Sequence, residues 1–389
     1  MKIAVVTSRF PFPLEKGDKL RLYFQIKHLA SKHEIILISL ADNPVSDDSL
    51  KHIQSFCSSV FVFPIQKNAA VFNVVKTLFD TKPLEVNYFF NKKIKAKIED
   101  ILRKERPDHI FCQLIRMSEY VKDLPYPKTV DYMDAFSLGM ERRAENSNIF
   151  LKLLLKRDAS QIADYEEVIF KKFQNHTIIS QQDKDQMPIP EKEKIHVLPN
   201  GVDTHFFAPM ATVKKEFDIT FVGNMGYYPN VQAAVFIAKK ILPKLILKYP
   251  KIKIQIAGAR PTPQVKSLAS KNIKITGWVE DIRTAYAAAK IFVAPIFHGR
   301  GQQNKILEAM AMGIPCITTD QVNQAIGATN GESILIGNDA ESCLEQISLL
   351  LENSKLQAQL SANALQFVRK NYSWEKCGEQ LEKIFVSNS

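Results

Sequence analysis

Only five cysteines occur in 389 residues (Cys57, Cys112, Cys316, Cys343 and Cys377), and no two form a CxxC pair. That spacing argues against a zinc site or a disulfide framework, and the odd count fits a reducing compartment. No run of eighteen apolar residues exists, so no membrane span is expected. The opening Met1-Lys2-Ile3-Ala4-Val5-Val6-Thr7-Ser8-Arg9 is too short an apolar run for a signal peptide. The expected location is therefore the cytoplasm. Low-complexity stretches and short-period repeats are also absent, which disfavours disorder and solenoids. No GxGxxG follows an opening strand, which disfavours a dinucleotide oxidoreductase.

What is present is the balance of a globular protein long enough for two domains, 46% apolar and 24% charged. Net charge is +11, with 31 basic against 26 acidic residues in 1–200 and 21 against 15 in 201–389. An excess spread over both halves disfavours a nucleic-acid arm. An anionic small molecule or an anionic membrane surface would use such a field, and solubility alone explains it equally well.

Residues 3–8 form a β-branched strand, followed by the loop Phe10-Pro11-Phe12-Pro13, a helical pattern over 19–31 and a second strand at 34–40. This βαβ unit makes the sheet parallel. Further strands are expected at 59–63, 108–112, 128–132 and 176–179. A second alternating series starts after residue 216, with strands at 218–222, 251–257, 273–276, 291–295 and 315–318 and helices at 229–248, 282–289 and 304–312. Leu198-Pro199-Asn200-Gly201-Val202-Asp203 has the turn residues of a connector. The expected architecture is α/β, with two Rossmann-like doubly wound lobes facing across a cleft. Residues 1–200 form the first lobe and 201–372 the second. Ligands then sit beyond the carboxyl ends of the strands, at helix N-termini.

The strongest local signal runs from Pro295 through His298-Gly299-Arg300-Gly301-Gln302-Gln303-Asn304-Lys305 and Glu308 to Gly313-Ile314-Pro315. A buried strand here feeds a glycine-containing loop straight into a helix, whose unpaired first-turn amides can seat a diphosphate. Arg300 and Lys305 add positive charge, and Glu308, one turn further, can accept from a ribose diol. Gly17 and Asp18 follow the first strand, where a small residue permits close approach of phosphate or sugar. Asp18, Lys19 and Arg21 face the cleft if the helix starts at 19. Asp131 and Asp134 lie at a strand tip. Asp134 there can orient an acceptor hydroxyl or assist its deprotonation, whereas capping the next helix is the competing use for Asp134 or Ser137.

The strand, the loop and the LEAMAxGxP helix together resemble the donor site of family 4 retaining glycosyltransferases with the GT-B fold, above all the bacterial subgroup associated with exopolysaccharide synthesis. Other segments fall in that family's order. They are Gly17-Asp18, Asn200-Gly201-Val202-Asp203, Phe221-Val222-Gly223-Asn224-Met225 before Tyr228-Pro229-Asn230, Thr276-Gly277-Trp278-Val279 with Asp281, and Tyr372-Ser373-Trp374. The resemblance covers nearly the whole chain, and it implies that 1–200, completed by a final helix at 373–389, is the acceptor lobe and 201–372 the donor lobe. It implies donor contacts at Gly17, Asp18, Gly223, Asn224, Gly277, Val279, Gly301, Gln303, Asn304 and Glu308, with Asp134, Arg300 and Lys305 acting in catalysis. Gly277 to Val279 would hold the base. Asp281 reads as a helix cap and Trp374 as a packing anchor for the last helix.

The chain departs from the family at two places. Arg300 stands where the family carries the first of two glutamates eight positions apart, and the usual Arg and Lys after the first donor-lobe strand are missing from 223–230. The two changes compensate if Arg300 and Lys305 carry the diphosphate charge. The expected function is transfer of a sugar from a nucleotide-sugar donor to a glycan or lipid-linked acceptor in cell-surface polysaccharide synthesis, retaining and without metal or other cofactor. A nucleotide-sugar 2-epimerase-like isomerase or a catalytically decayed binder are the alternatives. The basic helix at 92–106, and Arg142-Arg143 with the amphipathic run 149–157, suggest peripheral contact with anionic membrane.

Overall fold

The computed structural model describes residues 1–65, 81–145, 147–297 and 301–386, without the side chains of 142 and 150. It divides into two compact units, Met1–Pro199 with Cys377–Ser389, and Asn200–Lys376.

Unit 1 carries a seven-stranded sheet in the order β3-β2-β1-β4-β5-β6-β7, with every recorded pairing parallel. The strands are β1 (Lys2–Thr7), β2 (Glu34–Ala41), β3 (Ser59–Pro64), β4 (His109–Gln113), β5 (Lys128–Met133), β6 (Asn175–Ile178) and β7 (His196–Val197). β1 and β2 are apolar nearly throughout because helices cover both faces of a parallel sheet. One face packs Ile3, Val5, Leu22, Ile26 and the last helix's Leu381 and Phe385 together. Met117, Tyr120, Ile162 and Ile169 pack with Ala4, Val6 and Ile110 in the other core.

Unit 2 has six parallel strands in the order β10-β9-β8-β11-β12-β13. These are β8 (Phe217–Val222), β9 (Ile254–Ala257), β10 (Ile273–Gly277), β11 (Ala289–Ala294), β12 (Cys316–Thr318) and β13 (Leu335–Ile336). The helix expected at 229–248 is interrupted. Tyr228–Phe236 is α-helical, Ile237–Ile241 widens into a π turn, and Leu242–Lys248 resumes. Pro243 supplies the reason, since it lacks an N–H and its ring cannot follow a regular α turn.

Both sheets reverse their strand order beside their first strand, between β1 and β4 and between β8 and β11. Neighbouring chain segments leave a sheet in opposite directions at such a point, opening a crevice at the strands' carboxyl ends.

Candidate functional site

In unit 2 the crevice is built on glycine. Gly223, Gly258 and Gly277 end β8, β9 and β10 or follow them directly. Gly258 has φ +134°, and a Cβ there would lie 1.8 Å from the Gly223 carbonyl oxygen. The strand ends touch backbone to backbone, which no other residue type permits. Gly277 has φ +69°, and its carbonyl accepts from the Gly258 N–H at 2.8 Å. A Cβ on Gly223 would meet Asn230 Nδ2 at 2.8 Å and Lys305 Cε at 3.3 Å, so its absence lets Lys305 reach in.

Lys305 starts the helix Asn304–Ala311, whose first amides receive no side-chain cap. Its ammonium donates to Asn230 Oδ1 at 3.0 Å and Gln303 Oε1 at 2.8 Å, both neutral acceptors. Lys305 keeps partial solvent access, yet the protein around it lowers its pKa to about 8 by burial, which Glu308 opposes. Asn230 in turn donates to the Asn224 carbonyl at 3.0 Å, and Asn224 Oδ1 accepts from Gly226 N–H at 3.0 Å. Asn304 leaves its buried Oδ1 without a partner among the described residues.

Glu308 lies one turn on and accepts from the fully buried Tyr286 hydroxyl at 2.7 Å. Burial raises the Glu308 pKa, and the Tyr286 bond and Lys305 pull it back. Tyr286 thus fixes one carboxylate oxygen and leaves the other for a ligand. Tyr286→Phe is expected to cost about 1 kcal/mol of stability, the net worth of one hydrogen bond. Urea unfolding would measure it, and no change would show that water replaces the phenol.

Gly301 has φ +75°, and the loop before Lys305 is pinned by Gln302. Gln302 Oε1 accepts from Asn200 N–H at 2.8 Å, and its amide donates back to the Asn200 carbonyl at 2.6 Å. Arg300, together with His298 and Gly299, lies outside the described residues. Val279 packs partly against the unit 2 core, and Asp281 caps the helix Ile282–Ala287 while pairing with Arg283. Trp374 is buried against Gly201, where a Cβ would lie 2.6 Å from its ring.

Unit 1 has its own pocket of about 210 Å³ at the carboxyl ends of β4 and β5, lined among others by Arg9, Asp18, Glu85, Arg116, Tyr132 and Asp134. Leu114 (φ +69°) and Met133 (φ +66°) end β4 and β5 in the left-handed region, a strained choice for such side chains. Asp18 accepts from Arg9 at 2.5 Å and from Arg116 at 3.4 Å, and thereby orients two guanidiniums. At Gly17 a Cβ would meet nothing within 4 Å. Asp134 follows Met133, and no other side chain among the described residues donates to it. It is exposed along the pocket wall but flanked by Asp183 and Glu85, and burial by the surrounding protein with those charges pushes it up to about 6. The Tyr132 hydroxyl is buried without a partner among the described residues.

Two expectations need correction here. The helix starts at Gly17, not 19, and Arg21 does not face a cleft. It is 0% exposed and grips the equally buried Asp131 at 2.6 and 3.1 Å, so Asp131 is structural. Nor does Asp134 or Ser137 cap the next helix. Glu166, from the helix Ile149–Lys172, accepts from the Ser137 N–H at 3.4 Å and its hydroxyl at 2.7 Å. Sequence reasoning quoted Asn230 and Gln302 within motifs but gave them no role, and it missed Gly258, Tyr286 and Arg116. Of these last three only Gly258 carried a signal, a glycine directly after a strand. The described residues contain no group of three or more His, Cys, Asp and Glu placed to hold a metal ion.

Residues 216–353 match the family model described as Glycosyl transferases group 1. Along its full length the chain is 23% identical to an uncharacterized 44.6 kDa protein in the cps region of Klebsiella pneumoniae, with 100% of both chains covered. Over 203 residues, 49% of this chain and 52% of the relative, it is 25% identical to the phosphatidyl-myo-inositol mannosyltransferase of Mycolicibacterium smegmatis. Among solved structures it is similar to the sucrose-phosphate synthase of Thermosynechococcus elongatus, with TM-score 0.70, 14% identity and coverage of 100% and 99%. Anabaena HepE in complex with UDP gives TM-score 0.69 at 15% identity, with 100% of both chains covered. Residues 216–353 thus carry a glycosyl transferases group 1 domain, in a chain that has the fold of the GT-B glycosyltransferases.

Proposed function

We propose that this protein transfers a sugar, with retention and without a metal, from a nucleotide-sugar donor to a glycan or lipid-linked acceptor in cell-surface polysaccharide synthesis. The observation that carries the reading is Lys305, held by Asn230 and Gln303 over Gly223 beside uncapped helix amides. An ammonium with only neutral partners has its charge available for a diphosphate. Glu308 receives the ribose, Gly277 to Val279 the base, and Gly301, Gln303, Asn304, Gly223 and Asn224 surround the phosphates. Gly17 and Asp18 belong to the donor's sugar end, and Arg300 adds charge to the leaving group.

In the proposed step the sugar C1–O bond breaks and its electron pair leaves with the diphosphate. The acceptor oxygen bonds to C1 on the same face, and its proton passes to the departing phosphate oxygen. Asp134 orients that hydroxyl. HepE was solved with UDP, and the Klebsiella relative is named for a cps region; both support the donor class and the setting. Contact with anionic membrane is supported in unit 1 by Ile149 and Leu153, 78% and 75% exposed beside Lys152 and Lys156. The helix Lys92–Glu105 supports it less, because Lys95, Lys104 and Lys2 pair with its acids.

The test is chromatography of UDP-, GDP- and ADP-sugars incubated with protein and lipid or polysaccharide extract, with and without EDTA. Free nucleoside diphosphate and a product with the donor's anomeric configuration are expected in both. Epimerised donor without free diphosphate would replace this reading by an isomerase, and donor binding without any conversion by a decayed binder. Turnover should fall as pH drops through about 6, where Asp134 takes up its proton. Asp134→Asn should lower turnover without changing donor affinity, and intact turnover in that variant would remove Asp134 from the step.

A further inference from the structure

The positive excess of residues 201–389 is spread along the sequence but gathered by the fold. Strand register sets the amino ends of β8, β9, β10 and β11 side by side. Phe217 N–H donates to the Ala288 carbonyl at 3.0 Å, Asp218 N–H to Lys253 at 2.9 Å, and Ile254 N–H to Asn272 at 2.8 Å. Seven lysines meet on this edge (Lys214, Lys215, Lys251, Lys253, Lys271, Lys274 and Lys290) against Glu216 and Asp218. That surplus of five nearly equals the whole excess of six in this half of the chain. Five of the lysines, 214, 215, 253, 271 and 274, line a groove of about 530 Å³.

Most of this charge is not spent internally, the exception being Lys215, which donates to the Ala289 carbonyl at 2.7 Å and whose pKa burial lowers. Lys290 pairs with Asp218 at 2.9 Å, but the other six form no ion pair among the described residues. Two other lysines of unit 2 do find acids, Lys244 pairing with Glu341 and Lys248 with Glu352. Six unpaired ammoniums on one edge repel one another, and such an arrangement gains when an anionic surface meets it. All five groove lysines are exposed, and the one buried polar side chain lining the groove, Asn272, is already engaged by the Pro250 and Ile252 carbonyls. The groove also holds no arginine, whose planar fork would favour one oriented phosphate. Mobile point charges of this kind suit a smeared field of anionic headgroups rather than one molecule. The edge lies at the opposite end of β8 from Gly223, about 20 Å away for six strand residues.

We propose that this lysine edge of unit 2 docks on an anionic lipid bilayer while the crevice at the other end of the sheet stays open to solvent. This goes beyond the unit 1 contact proposed above and does not require it. The test is co-sedimentation of the full chain with vesicles of phosphatidylcholine alone or mixed with phosphatidylglycerol, at low and high salt. The variants are Lys214, Lys253, Lys271 and Lys274 all changed to Gln, or all to Glu. The parent should bind only the anionic vesicles and release at high salt. The Gln variant, which keeps the stems, should bind more than about tenfold more weakly, and the Glu variant weaker still. Both should keep the parent's thermal shift with nucleoside diphosphate, which reports an intact unit 2. Equal binding by parent and Gln variant would overturn the proposal, as would absence of binding by the parent. Binding of soluble polyphosphate without binding of vesicles would overturn it too. Loss confined to an Ile149→Ser, Leu153→Ser variant would leave the unit 1 contact standing and sink this one.

Discussion

Asp131→Ala is expected to destabilise unit 1 by about 3–5 kcal/mol, because it removes the buried carboxylate that receives two hydrogen bonds from the Arg21 guanidinium. Both side chains are fully buried, and their two hydrogen bonds are 2.6 and 3.1 Å long. Thr177 Oγ1 adds a third bond to the carboxylate at 3.0 Å, and the Met133 N–H a fourth at 3.3 Å. The pair ties the helix Gly17–Ala30 to β5, the strand that delivers Asp134. Arg21→Met with Asp131→Leu should recover most of the loss, since two apolar groups of similar size leave no charge to desolvate. Urea unfolding would measure both, with hydrogen exchange at β1, β4 and β5 isolating unit 1. A loss below about 1 kcal/mol for Asp131→Ala would mean that water reaches Arg21.

Lys305→Ala should weaken nucleoside-diphosphate binding by about 1.5–3 kcal/mol, the range for a charge-assisted hydrogen bond, and leave the bare nucleoside unaffected. The pKa near 8 adds a sign that can be checked. A lysine lowered by burial is partly neutral at pH 8, and an incoming diphosphate favours its charged form. Binding should therefore take up protons near pH 8, and affinity should fall as pH rises from 7 to 9. Calorimetry in two buffers of different ionisation enthalpy reads the uptake, which Lys305→Ala should abolish. Equal affinity of parent and variant would remove Lys305 from the diphosphate site.

Periodicity located the sheets because both are parallel and covered on both faces, so their strands read as uninterrupted β-branched runs. Val5-Val6 and Ile35-Ile36-Leu37-Ile38 are clear examples. The loop into Asn304 and Lys305 was legible for a related reason, since a glycine-bearing turn between buried strand and helix is local in the chain. The roles of Gln302, Tyr286 and Asn230 were not legible. Each acts on a partner 22 to 102 residues away, and a lone polar residue carries no mark of the partner it will meet.

Composition and spacing by themselves determined two α/β units, and they pointed to a connector near Pro199 and to the segment on which Lys305 and Glu308 lie. Tertiary structure alone decided the rest. Arg21 and Asp131 are as polar in the sequence as Asp18 and Asp134, yet packing cancels the first two against each other in a dry core and leaves Asp134 in a pocket wall. The seven edge lysines of unit 2 are scattered from 214 to 290, and only parallel register lays their strand ends side by side. Charge counted along a chain measures net field. Where that field points is set by which strand ends meet, and that depends on contacts between residues dozens of positions apart.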